Sequence, residues 1–390
     1  RYNFDKVIDR SGTSAEKVEG LKHIWGRTDL IPLWVADMDF ATAPFVTDAI
    51  RKRCENEVLG YTGKPDSYYN AIINWVKQRY DLVVAKEMIN FVPGIVPGIG
   101  MAMNCFTQKG DKVMIQPPVY HPFAWVTTRN ERTLVTNPLK WENGMYRMDL
   151  DTFREQIKGC KLFILCNPHN PGGVVWTEAE LRAIADICYD EKVLVFSDEI
   201  HADLTLPPHT HRPFATVSEK ARMNSVTFMS PSKAFNMPGL SASHALIFNE
   251  DLRKRFRIYM DAGELDMGHV FAFLSVEAAY SHGTEWLDQC LAYIQGNIDF
   301  VDDFLKNHAP KIKAIRPEAS YLVWLDCREL KLSQKDLNEF FVDKAHLALN
   351  DGEMFGKEGI GFMRLNVASP RCIIEKAMKQ LADAYQLYIK

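Results

Sequence analysis

Three polar segments of this chain each follow an apolar run, and each carries a different reactive group. Residues 161–166 lead into Asn167-Pro168-His169-Asn170-Pro171-Gly172-Gly173. Residues 192–196 lead into Ser197-Asp198-Glu199-Ile200-His201, and residues 225–229 into Ser230-Pro231-Ser232-Lys233. In an open α/β sheet, ligands bind just beyond the carboxyl ends of the strands. An amide, a carboxylate and an amine are therefore expected to converge on one edge. A pyridine aldehyde cofactor requires such a set: the amine forms a Schiff base, the carboxylate keeps the ring nitrogen protonated, and the amide bonds the phenolic oxygen.

The elements that must position these groups follow from periodicity. Four short apolar runs, at 112–115, 161–166, 192–196 and 225–229, predict strands. Between the second and third, Thr177 and Glu180 form a capping box, and Leu181, Ile184, Ala185 and Cys188 give one apolar stripe. That is a βαβ unit, so the fold class is α/β, a mostly parallel sheet wrapped by helices. From about Gly283 the pattern turns to long amphipathic stretches and antiparallel strands at 321–326 and 361–367. A smaller α+β domain is predicted there. The first 44 residues have weak periodicity, and their extended stretch Pro32-Leu33-Trp34-Val35-Ala36-Asp37-Met38-Asp39-Phe40 reads as a segment feeding a site. The expected organisation is an N-terminal segment (1–44) contributing to the small domain and the site entrance, a large cofactor-binding domain (45–283) and a small C-terminal domain (284–390).

Taken together and in this order, these segments resemble the fold-type I pyridoxal-phosphate (PLP) enzymes of the aspartate-aminotransferase superfamily. The resemblance is strongest to their cystathionine β-lyase and cysteine C–S lyase branch. It runs nearly end to end, from Val35-Ala36-Asp37-Met38-Asp39-Phe40 through Gly60-Tyr61-Thr62-Gly63 to Gly361-Phe362-Met363-Arg364-Leu365-Asn366. The resemblance implies PLP on Lys233, Asp198 against the pyridinium nitrogen, Asn170 and His201 near the ring oxygen, and Tyr120 stacked on the ring. It also implies that the backbone amides of Ile95 and Val96 hold the phosphate with the hydroxyls of Ser230 and Ser232. Arg364 takes the part of the substrate-carboxylate clamp, with Ala36 on the substrate side. Tyr61 matches the residue that reaches the neighbouring subunit's phosphate, which implies a homodimer with shared active sites. One departure is Ser241, where many aminotransferases carry a phosphate-binding arginine eight residues after the lysine; relatives in the lyase branch lack it too.

The implied activity is α,β-elimination from a sulfur-containing amino acid, cystathionine, cysteine or a related S-substituted cysteine, to pyruvate, ammonia and a thiol or sulfide. Lys233, Asp198 and Tyr120 are its expected catalytic residues. Two alternatives share the cofactor: a class I/II aminotransferase, and a PLP-binding regulatory protein acting through protein contacts.

Bulk properties agree with a small-molecule enzyme. The 390 residues exceed one ordinary core, yet no Pro-, Gly- or Ser-rich linker divides them. The net charge of −4 gives no field for a nucleic-acid backbone. No apolar run suits a bilayer and the start lacks a signal-peptide shape, so a cytoplasmic protein with no membrane partner is expected. The eight scattered cysteines, without a CxxC, suit reduced thiols that mostly fill cores. Asp198, Glu199 and His201 with His209 and His211 offer metal-ligand types, but Pro207-Pro208-His209-Thr210-His211 reads as an exposed loop and no HExxH is present, so no metal is expected. Glycines at 94, 98 and 100 do not match a dinucleotide fingerprint.

Overall fold

The computed structural model describes residues 1–389. Seven strands make the central sheet: β1 (Ile89–Val92), β2 (Lys112–Ile115), β3 (Thr133–Thr136), β4 (Cys160–Cys166), β5 (Leu194–Asp198), β6 (Ser225–Met229) and β7 (Ser243–Leu246). Their order is β1-β7-β6-β5-β4-β2-β3. β7 runs antiparallel to both neighbours, and every other pairing is parallel. The inner strands are buried on both faces, which is why they read as unbroken apolar runs and not as alternation.

Helix α1 (Ile95–Phe106) packs directly on this sheet because Gly98 lets it. A Cβ there would lie 2.8 Å from Val92 Cγ2 and 3.3 Å from Phe228 Cε1. Helix α2 (Glu178–Asp190) starts at the predicted capping box: Glu180 N donates to Thr177 Oγ1 and Thr177 N to Glu180 Oε1, both at 3.1 Å. Its predicted stripe, Leu181, Ile184, Ala185 and Cys188, is buried.

The strand predicted at 192–196 is shifted by two residues, whereas the ends of the others fall within one residue of their predicted spans. The chain leaves α2 through a turn at residues 191 and 192, with Lys192 at φ 58° and Val193 N bonded to Cys188 O at 2.8 Å, so the strand starts at Leu194. Pairing then continues through Asp198. Asp198 is thus the last residue of β5, not the second residue beyond it.

A second, four-stranded sheet comprises β8 (Lys313–Ile315), β9 (Leu322–Asp326), β10 (Asn350–Asp351) and β11 (Phe362–Asn366). It is antiparallel throughout, in the order β8-β9-β11-β10. The N-terminal segment is fastened to it: Asn366 N donates to Leu33 O at 3.0 Å, and Asn366 Nδ2 donates to Val35 O at 2.7 Å and Asp37 O at 2.8 Å. Buried Lys17 and half-buried Arg10 hold the same segment through Asp39 at 3.0 Å and Asp37 at 2.6 Å.

We propose residues 44 and 283 as the domain limits, with one apolar core continuing across them. Phe4, Trp75, Phe273, Trp286, Tyr321 and Leu381 belong to the same buried cluster. Gly283 joins helices α3 (Val270–His282) and α4 (Thr284–His308), and a Cβ there would fall 2.3 Å from both Ala279 O and Phe235 Cζ. Only glycine fits that junction.

Candidate active site

The carboxyl ends of β4, β5 and β6 are level, since Cys166 pairs with Asp198 and Asp198 with Phe228. The turns that follow therefore project their side chains into the same space. Ala36, Ile95, Tyr120, Asn170, Asp198, His201 and Lys233, all singled out from sequence, line one small cavity, together with Cys166 and Ile200. A larger, open recess of about 460 Å³ lies between Trp25, Trp34 and Met354, but no amine lines it, and it meets the residues around Arg364 at Asn350 and Trp34.

The amine of Lys233 comes from the turn after β6 and donates to Ala36 O at 2.5 Å, an oxygen that also accepts the Tyr321 hydroxyl at 2.8 Å. Burial, with the nearby Arg364 charge, pulls the lysine ammonium down to about 8. Asp198 is buried and accepts one backbone N–H, from Ile200 at 3.1 Å. Burial raises its carboxyl to about 7, with Glu199 pushing the same way, against the Ile200 hydrogen bond and Lys233. Tyr120, its N–H bonded to Asn170 O at 2.9 Å, has its phenol raised to about 12 by burial and by Asp198, so it keeps its proton at neutral pH. His201 is buried and neutral, pulled to about 3 by burial, and its Nδ1 has no partner among the described residues.

Arg364 sits on β11 directly opposite Asn350 of β10. Its Nη1 donates to Asn170 Oδ1 at 3.1 Å, and its Nη2 to Asn350 Oδ1 at 2.7 Å and Trp34 O at 3.3 Å. The bond to Asn170 couples the guanidinium to the cavity and leaves the Asn170 Nδ2 hydrogens to donate elsewhere. Its Nε is buried without a partner among the described residues, and burial lowers its pKa to about 10.

The remaining predicted residues lie outside the cavity lining. Val96 is half-buried in the first turn of α1, beside Ile95. Ser230 and Ser232 are buried and bonded to each other at 2.9 Å, with Ser230 Oγ also donating to Ala242 O at 2.7 Å. Ser241 is exposed, in a left-handed turn with φ 47°. Tyr61 is 99% exposed and contributes nothing to the cavity of its own chain.

The loop at 207–211 is not uniformly exposed, as its composition had suggested. His211 turns inward and its Nε2 lies 2.7 Å from Glu199 Oε1; the same carboxylate accepts Ser197 Oγ at 2.7 Å and Phe214 N at 3.1 Å. A buried carboxylate demands such partners, so the histidine is drawn in to satisfy Glu199. Sequence reasoning also missed Cys166, Ile200, Tyr321 and Asn350. Cys166 ends the apolar run at 161–166 and Ile200 lies inside the polar segment at 197–201, so the strand-end rule reached both positions, but an apolar or thiol side chain there suggested no role. Tyr321 opens a predicted strand, whereas nothing local marks Asn350.

Comparison with known proteins places this constellation. The chain is 38% identical to the cystathionine β-lyase PatB of Bacillus subtilis, over 98% of this chain and 99% of that one. Protein MalY of Escherichia coli is 31% identical, with 98% of each chain covered. Among solved structures, cystalysin from Treponema denticola, which contains a pyridoxal 5'-phosphate cofactor, superposes with a TM-score of 0.96 at 34% identity, covering 99% of each chain. The family model for aminotransferase class I and II matches residues 28–381, and the chain belongs to that family.

Proposed function

We propose that this protein is a PLP-dependent carbon–sulfur lyase that eliminates a thiol or sulfide from cystathionine, cysteine or a related S-substituted cysteine. The observation that carries the reading is a half-buried lysine amine and a buried carboxylate facing one small cavity, in a chain similar along its whole length to PatB and cystalysin.

The residues present fit the cofactor. Among the described residues, Lys233 supplies an amine whose one hydrogen bond is to a carbonyl, Asp198 an under-bonded carboxylate, Asn170 an amide donor not engaged by Arg364 and Tyr120 an aromatic face. The amides of Ile95 and Val96 at the start of α1, with Ser230 and Ser232, suit the phosphate, and exposed Ser241 adds no charge to them. When bound, PLP supplies an electron-accepting ring that stabilises negative charge at the substrate's Cα.

The protein's own share is placement and proton transfer. Arg364 takes the substrate carboxylate and so fixes Cα relative to Lys233. Lys233 Nζ accepts the Cα proton; a lysine pulled to about 8 gives up its own proton more readily than an exposed one. Asp198 holds the proton on the ring nitrogen, and that positive neighbour favours its ionised form over the neutral one that burial alone promotes. The C–H electron pair becomes the Cα=Cβ bond, the Cβ–S pair leaves with sulfur, and water converts the released aminoacrylate to pyruvate and ammonia.

Incubating the holoenzyme with cystathionine and no keto-acid acceptor should yield pyruvate in step with free thiol. Turnover that needs an acceptor and yields no pyruvate would identify an aminotransferase instead.

The working unit in this reading is a homodimer in which Tyr61 completes the partner's phosphate site. Support comes from an exposed apolar stretch, with Val58 at 72%, Leu59 at 57% and Tyr61 at 99% exposure, a pattern that marks a contact surface. Tyr61→Phe should weaken PLP retention. Mixed with Lys233→Ala subunits it should regain activity, because one hybrid site receives intact Lys233 from one chain and intact Tyr61 from the other. Confirmed hybrid dimers that stay inactive would remove Tyr61 from the site. Cytoplasmic placement is part of the proposal: no cysteine among the described residues is in a disulfide, and no described helix is long and apolar enough to cross a membrane.

A further inference from the structure

Arg364 is a buried cation with no carboxylate partner. Every ion pair among the described residues leaves it out, and the oxygens it touches are two side-chain amides and one backbone carbonyl. The ring of Phe355 also lies over it, 4.9 Å from the guanidinium carbon. Burying a charge without a counter-ion is costly, and most proteins answer the cost with a carboxylate. Here the cross-strand position that a carboxylate could occupy, directly opposite Arg364, holds Asn350.

We infer that Asn350 is a positioning residue that orients Arg364 through a neutral oxygen, so that the guanidinium keeps its full charge for an incoming carboxylate. This rests on Arg364 being the substrate clamp. The register of β10 on β11 fixes Asn350 in place, and its 2.7 Å bond is the shortest that Arg364 makes. Of the five guanidinium N–H groups, three are engaged by Asn170, Asn350 and Trp34. The Nε hydrogen and one on Nη1 are left over, and the first is buried and unpartnered. An aspartate at 350 would have nearly the same shape and would supply the missing counter-ion from within the protein. Substrate would then compete with a resident carboxylate for the same charge.

Asn350→Asp in the holoenzyme tests this, with propionate, a carboxylate lacking the amine, as the probe. Losing a charge-assisted bond of ordinary strength should weaken propionate binding by roughly ten- to a hundredfold, measured by calorimetric titration. The thermal midpoint should hold or rise, because Arg364 gains a partner, while the cofactor's absorbance stays put and KM rises more than kcat falls. A purely structural role predicts the reverse pairing: lower stability with unchanged propionate affinity. If Asn350→Asp does not fold, Asn350→Leu decides, since it removes the orienting oxygen without adding charge and should still weaken propionate; unchanged binding overturns the inference. Arg364→Lys is the control. If it weakens propionate and Asn350→Asp does not, the inference fails and the clamp stands. If neither weakens it, the clamp itself is wrong.

Discussion

Lys233→Ala should fold as well as the wild type and lose turnover by about 10²–10⁴-fold, the range ordinarily contributed by one positioned general base, with cofactor retention falling as well. Stability is spared because, among the described residues, Lys233 makes a single hydrogen bond, to Ala36 O, and its ammonium is held in a site that disfavours charge. Removing it relieves a desolvation cost and leaves only Ala36 O short of one donor, with the Tyr321 hydroxyl still in place. The thermal midpoint should therefore stay level or rise slightly while pyruvate production collapses. A variant that melts well below the wild type would show Lys233 to be structural, and one that keeps its turnover would show that another group takes the proton.

Arg364→Lys should reduce kcat/KM for amino-acid substrates by roughly thirty- to a thousandfold, corresponding to about 2–4 kcal/mol for a charge-assisted, two-pronged contact. Lysine keeps the charge but cannot reach Asn170 and Asn350 together, so one buried amide oxygen loses its donor at a cost of about 1–3 kcal/mol. The cofactor's absorbance should change little, even though Arg364 touches Asn170. Asn170 is held independently, by its N–H on Cys166 Sγ at 3.3 Å and by Tyr120 N on its carbonyl at 2.9 Å. If the substitution alters cofactor binding and spares substrate affinity, Arg364 serves the cofactor and not the substrate.

Much of this arrangement is legible in sequence because parallel strands announce themselves. A buried strand must be apolar throughout, so the first polar residues after it mark the sheet edge, and Asn170, His201 and Lys233 sit close behind β4, β5 and β6 for that reason. The displacement at Asp198, where both ends of β5 lie two residues later than predicted, arises where a left-handed Lys192 delays the start of the strand. Such a turn carries no glycine or asparagine to signal it. Asn350 and Tyr321 escape notice for a different reason. They reach the site through antiparallel register and through a shared acceptor at Ala36, and neither relation leaves a mark on local sequence. His211 is a case of tertiary demand overriding composition: a loop of prolines and histidines reads as solvated until a buried Glu199 requires a donor.

The central claim is that this cavity carries PLP on Lys233, and borohydride reduction followed by peptide mapping tests it most directly. The purified protein, supplied with PLP, should be yellow, lose that absorbance on reduction, and carry the cofactor's mass on the single peptide containing Lys233. A protein that stays colourless with PLP, or one whose reduced adduct maps to another lysine, would contradict the account.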